Sequence, residues 1–215
     1  MTRPLVKICG LSTPETLQAA IDAGADYVGF VFFERSPRYV SFETAASLRE
    51  RMPASTISVA LLVDADDAFI DDMVKRVRPG LLQLHGKESP ARVAEVKART
   101  GLPVMKVISV ATQDDVASAG IYENVADLLL FDAKPPKSMA NALPGGNALS
   151  FDWSLLADLS LTIPWMLSGG LDADNVAEAI DRTGATMVDV SSGVEIAPGK
   201  KDVARIRAFI KAAKG

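Results

Sequence analysis

Short apolar runs alternate along the chain with longer segments of helical character. The runs cover residues 6–9, 27–33, 57–63, 81–84, 104–108, 128–131, 165–167 and 187–190. The helical segments behind them open at Thr13-Pro14, at Ser41 and at 66, 90, 114, 174 and 202, and the sixth run has none. Thr13 is placed to cap a helix that carries Pro14 in its first turn and stops near Gly24; the second helix ends before Pro53. The runs are rich in Val, Ile, Leu and Phe with little polar alternation. Such strands are buried on both faces, which requires a parallel sheet covered by helices. Eight strand runs, roughly 27 residues apart on average and nearly all followed by a helical segment, favour a closed barrel over an open doubly wound sheet. No Gly-x-Gly-x-x-Gly follows the first run, which lowers the case for a dinucleotide fold. The expectation is one α/β domain over residues 1–215, a (β/α)8 TIM barrel with a phosphate site after strands 7 and 8.

Composition narrows this further. The chain has 215 residues, within reach of a barrel fold that needs about 250 and tolerates about 200. Its net charge of −4 argues against nucleic acid as a partner, because a phosphate backbone demands a basic face. A small anionic substrate needs only local positive potential. Cys9 is the single cysteine, so no intramolecular disulfide forms, which fits a reducing compartment. No signal-type apolar segment and no run of 18 apolar residues occurs, so the expectation is a cytoplasmic protein with no membrane partner. One His and one Cys do not make an ordinary closed metal site, so no metal is expected. The stretch from 133 to 150, with Pro135-Pro136, Pro144 and Gly145-Gly146, is long enough for a functional loop.

Catalytic residues of such barrels lie at the C-terminal ends of strands. The first strand ends in Lys7-Ile8-Cys9-Gly10, the fourth in Gln83-Leu84-His85-Gly86 and the sixth in Phe131-Asp132-Ala133-Lys134. Lys7 shares a strand face with Cys9, and a nearby ammonium favours a thiolate. Cys9 is thus either a reactive thiol or an inert buried side chain. Asp132 is either a general acid or base or the cap of a turn. His85, the only histidine, is either functional or a hydrogen-bonded structural residue. Ser168-Gly169-Gly170 and Ser191-Ser192-Gly193 follow the seventh and eighth strands, where backbone N–H groups commonly hold phosphate. Turn glycines alone explain one such motif more easily than two on adjacent strands.

These segments, with Phe151-Asp152-Trp153, Leu171, Val194-Glu195 and the tail Pro198-Gly199-Lys200-Lys201-Asp202, resemble the phosphoribosylanthranilate isomerase family of tryptophan biosynthesis, in order and along the whole chain. The resemblance implies an Amadori rearrangement of N-(5-phosphoribosyl)anthranilate to 1-(2-carboxyphenylamino)-1-deoxyribulose 5-phosphate, without cofactor or metal. By position it makes Cys9 the general base and Asp132 the general acid. Arg38 would face the anthranilate part, Asp189 the substrate hydroxyls, and Lys7 and His85 would also bind substrate. Phosphate would lie against Gly146, Asn147, Ser168, Gly169, Gly170, Ser191, Ser192 and Gly193. The thiol of Cys9 is expected to be pulled down by Lys7 and backbone dipoles. Asp202 is expected to cap the last helix.

Two features depart from the family. Its Gly-Gly-x-Gly run reads Gly145-Gly146-Asn147-Ala148 here, and the segment from Pro136 to Pro144 is longer than usual. A left-handed backbone at Ala148 would cost about 1 kcal/mol. The aminoaldose isomerase of histidine biosynthesis resembles a two-aspartate design, against which Cys9 argues. A sugar-phosphate epimerase would want metal-binding histidines, and a hydrolase a Gly-x-Ser-x-Gly elbow that is missing. A catalytically silent barrel binding a phosphorylated ligand is separated by a turnover assay. Both monomer and homodimer remain open.

Overall fold

The computed structural model describes residues 3–136, 138, 145–147, 149–157 and 159–215. Eight strands close into a barrel in chain order: β1 (Leu5–Cys9), β2 (Tyr27–Val31), β3 (Ile57–Leu62), β4 (Leu81–Leu84), β5 (Val104–Val110), β6 (Leu128–Ala133), β7 (Trp165–Leu167) and β8 (Met187–Val190). Every pair is parallel, and β8 returns to β1 with Lys7 opposite Asp189. Helices α1 (Pro14–Asp22), α2 (Phe42–Arg49), α3 (Asp67–Val77), α4 (Pro90–Thr100) and α5 (Gln113–Ala117) follow the first five strands. Among the described residues β6 is followed only by a 3-10 turn, Trp153–Leu156; α6 (Val176–Thr183) follows β7 and α7 (Val203–Lys214) follows β8.

The helices start where short polar side chains satisfy the free N–H groups of the first turn. Thr13, Ser41, Asp66, Ser89 and Asp202 each accept from a backbone N–H three residues on. Thr112 and Asp115 form a reciprocal capping box at α5. Asp202 therefore caps the last helix, as its place before an amphipathic segment suggested.

Side-chain alternation divides the apolar residues into two cores. Val6, Ile8, Val28, Phe30, Leu129, Phe131 and Val188 point outward and pack against Leu17, Leu48, Ile70, Val96, Ile206 and Phe209 of the helices. The opposite strand faces put Val59, Leu81, Met105, Val107, Leu128, Leu130, Met166 and Met187 inside the barrel. Both faces are apolar, which is why the strands read as unbroken hydrophobic runs. Cys9, Val31 and Leu61 form a separate inner layer above this plug.

Three differences from the sequence expectation matter for function. β2 stops at Val31 rather than 33: Phe32 N–H makes the last rung to the Leu61 carbonyl, and the Phe33 carbonyl then closes a turn by accepting from Ser36 N–H. β5 and β6 both run two residues further than expected, pairing Ser109 with Asp132 and Val110 with Ala133. Asp132 thus stands inside the sheet and not beyond its end. A two-stranded ribbon, β9 (Glu195–Ala197) and β10 (Lys200–Lys201), was not expected at all. Ala148 and residues 139–144 lie outside the described residues, and the expectation of strain at Ala148 lies outside them too. No described helix is long and apolar enough to cross a membrane.

Candidate active site

At the C-terminal mouth of the barrel a cavity of about 730 Å³ opens over the inner layer. Its floor and walls include Cys9 from β1, Gln83 and His85 from the end of β4, Asp132 from β6, Ser168 from β7 and Asp189 from β8. The same inward-pointing positions that carry apolar plug residues deeper in the barrel carry these polar groups at its top. Gly145, Gly146 and Asn147 close one side.

The electrostatics of the floor centre on Lys7. It is fully buried, and its Nζ donates to Asp189 Oδ1 at 2.7 Å. Burial pushes the Lys7 ammonium down, but Asp189 and the neighbouring Cys9 outweigh it and hold its pKa above the ordinary value. Cys9 behaves opposite to the expectation from its neighbour: burial pushes the thiol up, and Lys7 offsets this only in part. The physical reason is that desolvation of the buried thiol outweighs the Lys7 charge, and the Asp189 charge beside Lys7 further disfavours a thiolate. Asp189 Oδ2 accepts from the Ser168 hydroxyl at 3.0 Å, so β1, β7 and β8 are tied together beneath the cavity.

A second buried network stands at the rim. Arg38 donates through Nε and Nη2 to the two oxygens of Glu195, both at 2.8 Å, and Nη2 also reaches the Gly146 carbonyl at 3.1 Å. Lys201 Nζ lies 2.8 Å from Glu195 Oε1 and donates to Ser191 O at 2.8 Å and Ser191 Oγ at 3.1 Å. Ser191 Oγ in turn donates to the Cys9 carbonyl at 3.3 Å. Burial alone would raise the Glu195 carboxyl, yet Arg38 and Lys201 together hold it below its usual range. Arg38 is only 5% exposed, and the fork expected for a substrate carboxylate is already engaged by Glu195. Its Nη1 edge lies toward Gly146, where an added Cβ would meet it at 2.5 Å.

His85 Nε2 faces Asp132 Oδ2 at 3.4 Å, and its Nδ1 is 3.3 Å from the Gln83 amide nitrogen. With the amide donating to Nδ1, the ring proton sits on Nε2, a buried atom that lies near Asp132 without hydrogen-bonding to it. Behind this pair Lys106 donates to Gly86 O at 2.8 Å and to Glu88 Oε2 at 2.7 Å, while Glu88 accepts from the Asp64 and Gly86 N–H groups. That buried pair fixes the turn that carries His85.

After β7, Gly170 has φ +67°, and a Cβ there would come within 2.8 Å of the Leu149 carbonyl oxygen. The loop can run this close to 149–150 only because the residue is glycine. After β8, Ser192–Val194 form a short 3-10 turn whose start faces the cavity through Ser191 and Ser192.

The family model for N-(5'phosphoribosyl)anthranilate (PRA) isomerase matches residues 6–212. The chain belongs to this family. An N-(5'-phosphoribosyl)anthranilate isomerase of Parvibaculum lavamentivorans is 63% identical over 209 residues, covering 97% of each chain. The crystal structure of the phosphoribosyl anthranilate isomerase from Thermotoga maritima superposes with a TM-score of 0.87 at 36% identity, covering 99% of each chain. A phosphoribosyl anthranilate isomerase solved in complex with reduced 1-(o-carboxyphenylamino)-1-deoxyribulose 5-phosphate gives 0.84 at 35% identity, again over 99% of each chain. The eight-stranded architecture expected from the apolar runs is that of these isomerases of tryptophan biosynthesis.

Of the residues singled out from the sequence, Cys9, Arg38, His85, Asp132, Gly146, Asn147, Ser168, Gly169, Gly170, Asp189, Ser191 and Ser192 all line the one cavity. Lys7 and Gly193 do not. Lys7 is 0% exposed and sits below the floor, so it acts on the site through Asp189 and Cys9 and not by touching a ligand. Gly193 backs onto the Leu171 carbonyl, where any Cβ would collide. Glu195 and Lys201 received no role from the sequence. Both stood in segments quoted for the family likeness, but only their convergence in space identifies them as partners of Arg38.

Proposed function

We propose that the chain, as one (β/α)8 domain over residues 1–215, converts N-(5-phosphoribosyl)anthranilate to 1-(2-carboxyphenylamino)-1-deoxyribulose 5-phosphate by an Amadori rearrangement. The observation that carries the reading is that Cys9 and Asp132, from β1 and β6, open onto the same cavity as the glycine-rich turns after β7 and β8. Protonated Asp132 donates to the furanose ring oxygen. Ring opening leaves an iminium that acidifies the proton on C2, and the Cys9 thiolate removes it. The enolamine then tautomerises to the ketone. His85 Nε2–H, 3.4 Å from Asp132, stabilises the carboxylate left after donation once the two close to hydrogen-bond distance. The phosphate lies against the N–H groups of 169–170 and 191–192 with Gly146 and Asn147 opposite, and the aryl carboxylate lies at the Nη1 edge of Arg38. No cofactor enters this scheme. A thiol that must stay reduced suits the cytoplasm.

The test is a fluorescence assay in which the upstream transferase generates the labile substrate in place. Wild type should consume it rapidly. Cys9→Ser and Asp132→Asn should each fall by about 10² to 10⁴ or more in kcat. Turnover surviving in either variant removes that residue from its role, and an inactive, well-folded wild type defeats the assignment.

A further inference from the structure

Cys9 has to be ionised to act as a base, and the cation expected to favour this, Lys7, is shared with Asp189 at 2.7 Å and does not by itself overcome burial. The charged groups facing the thiol come from three elements: Lys7 on its own strand, Asp189 on β8 and Lys201 on β10. The remaining neighbour, β2, presents Gly29, whose missing side chain leaves room for Cys9 Sγ. Asp189 offsets part of the Lys7 charge, and what remains does not overcome the burial of the thiol. The rim network of Arg38, Glu195 and Lys201 carries a further positive excess, since it holds two cations and one anion, all buried. Burial pushes the Lys201 ammonium down, and the Glu195 carboxylate at 2.8 Å and Cys9 oppose that push, while Nζ donates to the Ser191 carbonyl. It is joined to β1 by a hydrogen-bonded chain through Ser191 Oγ to the Cys9 carbonyl.

We propose that Lys201 and Glu195, on the ribbon β9–β10, are positioning residues that act through Cys9 and Arg38: Lys201 supplies a second positive charge, beside that of Lys7, that favours the Cys9 thiolate, and Glu195 moderates that charge while fixing the Arg38 guanidinium. Neither side chain lines the cavity, and neither touches the reacting atoms. The catalytic meaning of this assignment rests on the reading of Cys9 as the base, but the electrostatic link itself does not. The direction agrees with the influence of Lys201 on the thiol, which is downward, against the upward push of burial and of Asp189.

Because Cys9 is the only cysteine, alkylation by iodoacetamide reports its ionisation at a single site. The rate is followed by mass spectrometry against pH for wild type, Lys201→Met, Lys201→Arg and Glu195→Gln. Lys201→Met should move the midpoint up by about one pH unit or more, Lys201→Arg should restore it, and Glu195→Gln should move it down. Opposite signs for the Met and Gln variants are the diagnostic result, since loosening of the ribbon would shift both in the same direction. Unchanged midpoints, or two shifts of one sign, overturn the proposal. If Lys201→Met fails to fold, the downward shift in Glu195→Gln and the wild-type midpoint in Lys201→Arg decide it. Turnover of Cys9→Ser is measured alongside: activity there removes Cys9 as the base, while the alkylation midpoints still show whether Lys201 controls the thiol.

Discussion

At the scale of single residues, the site depends on charges that are buried and paired. Lys7 and Asp189 are both nearly inaccessible, and the pair survives because each desolvated charge has a partner at hydrogen-bond distance. Removing one member strands the other. Lys7→Met should destabilise the protein by about 3–5 kcal/mol in urea unfolding, while adding Asp189→Asn should cost much less than a second such loss. Simple additivity of the two changes would mean that the pair contributes nothing as a unit. That Lys7 and Cys9 share a face was legible from strand alternation alone. The partner of Lys7 was not, because it depends on the register at which β8 meets β1 across 182 residues of sequence. The raised thiol of Cys9 escaped for the same reason, since it reflects Asp189 and burial, and neither is written next to Cys9 in the chain.

At the scale of elements, the mouth is built by loops pressed together with no room to spare. Gly193 stands where β8 leaves the barrel and abuts the Leu171 carbonyl of the loop after β7. Gly193→Ala should cost about 1–3 kcal/mol of stability, because backbone rather than a flexible side chain must give way. It should also raise KM for the phosphorylated substrate more than it lowers kcat. Denaturant midpoints and steady-state kinetics check both, and a variant with wild-type KM would show that the two loops do not share a ligand. The starts of the first and last helices were readable because Thr13 and Asp202 are capping residues before helical segments. The ribbon β9–β10 was not. Its strands are three and two residues long, too short for any periodicity to register.

At the scale of the whole molecule, a barrel has no edge strand, so its integrity depends on the last element as much as the first. α7 buries Ile206, Phe209 and Ile210 against the sheet, and Lys214 reaches the Gly24 carbonyl and Asp26. Three such side chains are worth roughly 5–9 kcal/mol of burial, comparable with the about 5–15 kcal/mol by which domains are stable. A chain ending at Asp202 should therefore lose cooperative thermal unfolding, as circular dichroism would show; a sharp transition in that truncation would place the stabilising core elsewhere.

The division of each strand into an outward helix-facing set and an inward plug has a bearing on which genetic changes this chain can survive. One codon inserted in β6 between Leu130 and Phe131 would send Asp132 into the oily layer beneath the helices and bring an apolar side chain to the mouth. Substitutions can be graded in their harm, but an odd-numbered insertion or deletion within a strand reverses every position downstream in it. Length variation in the lineage of this chain is thereby channelled to the loops, and the strands are left to change by replacement alone.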